Sequence, residues 1–168
     1  VLERDLERVR RFYQARGFYE TQVHAGRVLR TKDNHVRVEI EITEGEPVLI
    51  EDAELQFLEW QKAFRANAEM FATVNAYRQG PLEDGEPLPR FDEDRYDAVK
   101  VKLLEALTSR GFAYAKVEGD VKVDLSKRRA RIKLNPVAGE ACTFGEIALE
   151  GLGEIPEGPV RRELGFEK

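Results

Sequence analysis

The 168-residue chain predicts an α+β fold of tandem βααββ modules, each a three-stranded mixed sheet covered on one face by two helices. Three observations carry that expectation: a gap-free internal repeat, amphipathic stripes that stop at glycines, and hairpin patterns in which apolar and charged residues alternate. Arg16-Gly17-Phe18 recurs as Arg110-Gly111-Phe112, an offset of 111 − 17 = 94. The same shift places Leu2 on Tyr96, Val9 on Leu103, Tyr13 on Leu107 and Val23 on Val117. It continues with Val38 on Ile132, Ile40 on Leu134, Gly45 on Gly139 and Leu55 on Leu149. Matches so widely spread describe one architecture used twice.

The elements follow in order. Leu2, Leu6, Val9 and Tyr13 form one stripe of a helix, and Gly17 suits the left-handed C-terminal cap behind it. A weaker strand over Thr21–Arg30, a polar turn at Lys32-Asp33-Asn34, and Val36, Val38, Ile40 and Ile42 alternating with polar residues make a hairpin wet on one face. Glu44-Gly45 turns the chain into a strand over Val48–Phe57. Trp60, Phe64, Ala68, Phe71 and Val74 then read as a helical core stripe ending before Gly80. The loop Gly80–Arg90, with Pro81, Gly85, Pro87 and Pro89, separates that helix from the next. Asp92 caps the following helix, Phe91 staples onto Tyr96, and Val99, Leu103 and Leu107 continue its stripe toward Gly111. A second hairpin has Val117, Val121 and Val123 on one strand, a turn near Ser126-Lys127-Arg128, and Ala130, Ile132 and Leu134 on the other.

Two helices must cover the apolar face of a three-stranded sheet, because neither layer buries its hydrophobic side alone. The organisation expected is therefore residues 1–47 as the helix and hairpin of one module, 48–140 as a complete module, and 141–168 as the opening strand of a third. With 42% hydrophobic residues the chain can fill two small cores of roughly 80 residues each. This phase reads as a chain cut from a longer protein. The first hairpin would then expose apolar surface unless a neighbour covers it, for example the Phe144–Leu152 strand of a second copy in a strand-exchanged homo-oligomer.

The formal charge is −5 and no stretch concentrates positive charge, which argues against nucleic acid as a partner. Lys127-Arg128-Arg129 sits at a hairpin tip. No run approaches the roughly 18 to 20 apolar residues of a membrane-spanning helix, and Val1-Leu2-Glu3-Arg4-Asp5 does not resemble a signal peptide. Cys142 is the single cysteine and reads as an inert thiol. His24 and His35 fall on one hairpin, where cross-strand pairing could bring them close, yet two imidazoles make no zinc site without further ligands. Asp92-Glu93-Asp94 reads as helix-start charge and Glu39, Glu41 and Glu44 as the wet face of a strand. Gly80-Pro81 to Gly85 lacks the Lys-Ser/Thr ending of a phosphate loop. No catalytic residue, metal or cofactor is expected.

Leu104–Val117 (LEALTSRGFAYAKV), Ala130–Gly139 and Phe144–Leu152 (FGEIALEGL), with Val9–Val23 repeating the first of them, together resemble the POTRA domains of BamA- and TamA-like outer-membrane assembly proteins. The long stretch Phe57–Arg90 departs from that pattern by lacking a glycine soon after the first strand. The resemblance implies a non-catalytic periplasmic region preceding a membrane β-barrel. It also implies partners: unfolded outer-membrane or secreted polypeptides, and accessory assembly subunits. It further implies an edge strand for β-augmentation near Tyr114–Asp124, with Tyr114, Lys116, Glu118, Asp120 and Lys122 facing outward. The same alternating charges deter indiscriminate edge pairing. Gly45, Pro47, Gly139 and Phe144 mark the module junctions. A POTRA-type module of a two-partner secretion transporter or of a cell-division protein is the alternative reading.

Overall fold

The computed structural model describes residues 2–31, 35–58, 63–83, 85, 87–143 and 145–164. Helix α1 (Leu2–Ala15) leads into an antiparallel hairpin, β1 (Gln22–Arg30) and β2 (Val36–Thr43), which forms a two-stranded sheet. Then come β3 (Leu49–Leu55), α2 (Phe64–Gln79), α3 (Glu93–Thr108), β4 (Lys116–Asp124), β5 (Arg129–Val137) and a short α4 (Glu157–Glu163). The second sheet runs β3-β5-β4, with β3 parallel and β4 antiparallel to the central β5. The mixed sheet under two helices is the fold the sequence predicts. The expected turn at Lys32-Asp33-Asn34 and the expected core residue Trp60 lie outside the described residues.

The recurring Arg-Gly-Phe has a physical reading. Gly17 and Gly111 take φ of +89° and +90°, a left-handed conformation that glycine enters without steric cost. That turn lets Gly17 N–H reach Gln14 O and Phe18 N–H reach Tyr13 O, and likewise Gly111 reach Thr108 and Phe112 reach Leu107. These are the paired bonds of a Schellman closure, which satisfy helix-end carbonyls. Arg16 and Arg110 each donate from Nη1 to the carbonyl four residues back, Phe12 and Ala106. Phe18 closes the first copy by edge contact with Tyr13, 6.2 Å between centroids. At the other end of α3, Asp92 accepts from Arg95 N–H at 3.0 Å, and the Phe91 ring lies 6.3 Å from that of Tyr96.

The core sits between α2, α3 and the β3-β5-β4 sheet, with Ile50, Met70, Leu103, Leu107, Ile132 and Leu134 fully enclosed. The face of α2 differs from the stripe expected. Ala68 and Phe71 are exposed, and the buried positions are Ala66, Met70, Val74 and Tyr77, continuing Ala63 just before the helix. Small side chains at 63 and 66 let the helix backbone approach the sheet, so proximity overrides the pull of the larger apolar residues. The described part of the expected Phe144–Leu152 strand forms no ladder, since no neighbouring strand lies beside it. The helix start expected beyond it does form, as α4.

Candidate functional site: a sheet edge and two junctions

The two ends of the larger sheet are unequal. Along the outer side of β3, Ile50 N–H donates to Pro89 O and Phe91 N–H donates to Val48 O, both at 2.8 Å, while Leu49 bridges Arg90. The end of the Gly80–Arg90 connection thus returns to pair with the first residues of β3. Among the described residues nothing similar flanks β4, whose ladder partner is β5 alone. Its outer backbone groups are therefore available to another strand.

Lys116, Glu118, Asp120 and Lys122 are exposed along β4, with Val117, Val121 and Val123 turned toward the core. Tyr114 is exposed but does not stand on the strand. It lies in the turn closed by Ala115 N–H to Phe112 O, 3.0 Å, which the tight helix-to-strand connection requires. Beside β4 a shallow groove runs against α3, lined by Tyr19, Phe91, Glu93, Tyr96, Asp97 and Val121 with Val123. Tyr96 crosses the strand at Gly119, where an added Cβ would coincide with the tyrosine hydroxyl. Burial, followed by the neighbouring charges of Asp97 and Asp120, pushes the Tyr96 hydroxyl pKa up, so it stays a neutral donor.

The junction residues read from sequence fall at turns. Gly45 (φ +78°) and Gly139 (φ +72°) are left-handed and Pro47 is half-buried; Phe144 lies outside the described residues. Sequence reasoning missed two backbone contacts beside these turns. Val48 N–H donates to Gly17 O at 2.9 Å, and Cys142 N–H donates to Gly111 O at 2.7 Å. These are one contact repeated, since 48 + 94 = 142, and extending the repeat register by that one pairing would have found it. Around the first of these contacts more is added: Arg11 forms a two-point ion pair with Glu93, Arg16 reaches Asp94 at 3.6 Å, and the Arg90 guanidinium lies 5.1 Å from the Phe18 ring centre. Thr21 Oγ1 donates to Phe18 O or Glu44 O, 2.8 and 2.9 Å away, tying the helix exit to the hairpin exit.

The residues considered for chemistry are placed apart. His24 pairs across the hairpin with Glu41, and the carbonyl of His35 accepts from Thr31 N–H at 2.9 Å, so the register does not bring the two imidazoles together. Cys142 is half-buried, its Sγ 3.6 Å from Glu140 O. Asp92 caps α3, and Glu93 and Asp94 pair with Arg11 and Arg16. Among the described residues no group of three or more His, Cys, Asp or Glu is arranged to hold a metal, and no helix is long and apolar enough to cross a membrane.

The POTRA family model, described as surface antigen variable number repeat, matches residues 1–45. The crystal structure of Haemophilus influenzae BamA POTRA3-5 is similar at a TM-score of 0.63 and 21% identity, over 99% of this chain and 61% of that one. BamA POTRA4 of the same organism matches at 0.44 and 18%, over 57% of this chain and 97% of that one. POTRA1-3 of Anabaena Omp85 matches at 0.36 and 12%, over 80% and 49%. The chain thus spans about three fifths of the length of the first of these structures. Its first 45 residues match the POTRA family, and nearly its whole length shares the POTRA fold.

Proposed function

We propose that this chain is a periplasmic POTRA region of an outer-membrane protein assembly or translocation factor, acting as a binding scaffold and not as an enzyme. Residues 1–47, 48–140 and 141–168 are then the end of one module, a complete module and the start of another. The ligands are unfolded outer-membrane or secreted polypeptides, or accessory subunits, and the parent protein continues into a membrane β-barrel. Binding is by β-augmentation along β4, where main-chain hydrogen bonds supply affinity and tolerate many sequences. The observation that supports this reading is the asymmetry of the sheet among the described residues, with the start of β3 paired by Pro89–Phe91 and β4 open beside the α3 groove.

Amide hydrogen exchange with and without an extended peptide from an outer-membrane β-strand tests it. Alternate amides of Lys116–Asp124 should become protected on binding, while those of β5 stay as they were. Protection confined to the α2–α3 surface, or none anywhere, would remove the augmentation mechanism.

A further inference from the structure

We propose that the cleft between α2 and α3 is a second docking surface, for a helix of a partner protein that carries two carboxylates seven residues apart. Both walls come from the interior of the chain. The helices run antiparallel: Arg95 at the start of α3 lies over Tyr77 near the end of α2, while Arg110, past the end of α3, pairs with Glu69 near the start of α2. The floor between them is small, since Ala72 and Ala76 of α2 and Ala98 of α3 are exposed there. The cleft is open and measures about 470 Å³, far more than a lone carboxylate fills, so an anion seated in it belongs to a larger body.

The groups in the cleft select for negative charge. Among the described residues Arg95 and Lys102 have no carboxylate partner. The carboxylates nearby are engaged: Asp92 caps α3, Glu93 and Asp94 pair with Arg11 and Arg16, and Glu69 lies 2.7 Å from Arg110. Tyr77 is 4% exposed, and its hydroxyl has no hydrogen-bond partner among the described residues. A buried hydroxyl left unpaired costs free energy, and an incoming carboxylate would accept from it. Burial pushes its pKa far up, so it stays a protonated donor. The Arg95 guanidinium lies 5.6 Å from the centre of the same ring, which places both donors within reach of one carboxylate. Lys102 follows Arg95 by seven residues, two turns or about 10.5 Å along one stripe of α3. A helix with acidic residues at that spacing meets both cations, and the alanine floor lets it approach to an axis distance of about 8–10 Å. An extended segment would instead lay its backbone N–H and C=O groups on alanine methyls, where the Thr73 hydroxyl already donates to Glu69 O at 2.8 Å. The surface uses neither sheet edge and does not depend on strand pairing at β4.

The probe is an alanine-based, end-capped helical peptide with two glutamates seven residues apart, titrated at low salt into the isotope-labelled whole chain and followed by amide chemical shifts. The amides of Ala72, Ala76 and Ala98 should move, and the same peptide with glutamines should bind about tenfold more weakly or worse. Arg95→Gln and Tyr77→Phe should each weaken the glutamate peptide about tenfold. Tyr77→Phe should also melt at the same temperature or higher, because the hydroxyl it removes has no partner to lose. Equal binding of the glutamine peptide, shifts elsewhere or none, an equally tight peptide whose helix is broken by prolines, or acetate of the same affinity would each overturn the proposal. A lower melting temperature in Tyr77→Phe would do so too, by giving the hydroxyl a structural role. Self-association of the unchanged chain that Arg95→Gln abolishes would make a second copy the occupant and overturn it as well.

Discussion

The β1–β2 and β4–β5 hairpins are the same device in two surroundings. Val38 and Ile40 are each 43% exposed, whereas their repeat equivalents Ile132 and Leu134 are 1% and 0% exposed. Both hairpins form with the alternation their sequences encode, and both follow a helix ended by the same Arg-Gly-Phe closure. What differs is the cover: β5 has β3 alongside it and α2 and α3 above the sheet, and β2 has α1 resting on its β1 partner alone. Local pattern therefore specifies a hairpin's pairing and which face is apolar. It does not specify whether that face is buried, which depends on elements up to about 80 residues away along the chain.

The largest test of this difference compares Leu134→Ala with Ile40→Ala. Leu134 is enclosed, and its truncation leaves a cavity as well as lost transfer energy, an expected cost of about 2–5 kcal/mol. Ile40 is 43% exposed and lies outside the core, so its truncation should cost less, below about 1 kcal/mol. Urea denaturation followed by the near-ultraviolet signal of the tyrosines measures both. Equal costs would mean that the hairpin face is already covered in solution.

The contrast also explains what could be read from sequence. Helix α3 was legible because its cap (Asp92), staple (Phe91 with Tyr96) and terminator (Gly111) are all local signals. The buried face of α2 was not, because Ala63 and Ala66 are chosen by how near the helix lies to the sheet, and that distance is written nowhere within the helix itself. Likewise the outward residues of β4 follow from period two, whereas Tyr114 is displaced by a turn whose length only the packed connection sets. The cover on β3 was missed because Pro89 reads as a loop breaker while its carbonyl acts as a sheet acceptor.

Next in size is the junction. A Cβ on Gly17 would lie 2.5 Å from Phe91 O, and the left-handed φ adds strain of its own. Gly17→Ala should cost about 1–3 kcal/mol and weaken the Val48 and Phe91 bonds, read as faster exchange of those two amides. Gly85 is also left-handed, yet nothing lies within 4 Å of a Cβ there. Gly85→Ala should therefore show the strain without the junction effect, and faster Val48 exchange in that variant would locate the sensitivity elsewhere.

The repeat supplies a compensating pair for a smaller effect. Tyr96 crosses Gly119, and the first copy holds Leu2 and Ala25 at those positions, since 96 − 94 = 2 and 119 − 94 = 25. Gly119→Ala alone should displace the tyrosine and cost about 1–3 kcal/mol through overpacking. Combined with Tyr96→Leu, most of that loss should be regained, leaving a coupling energy of opposite sign that a double-mutant cycle resolves. Additive effects would mean that the ring does not hold its place over the strand.

The smallest effect is electrostatic and separates the two sheets by pH. Arg131, through its hydrogen bond and charge, holds the Glu51 carboxyl below its ordinary value of 4.5, joining β3 to β5 across their ladder. A depressed carboxyl stabilises the fold above its unfolded value, and that contribution fades as pH falls through the folded one. Acidification below about pH 4.5 should therefore loosen the β3–β5 pairing slightly. Glu51→Gln should remove that part of the pH dependence while leaving Asp124, which is also depressed by the Ser126 hydroxyl and Lys127 N–H, to titrate at the β4–β5 turn. Both groups are exposed, so surrounding water and salt keep the size of the effect small. The comparable position on the first hairpin is Arg37, whose partner here is Glu39 of its own strand, 3.4 Å away. An acid-induced loss of protection at β5 that leaves β2 unchanged would show that cross-strand charge matters where the third strand is in place.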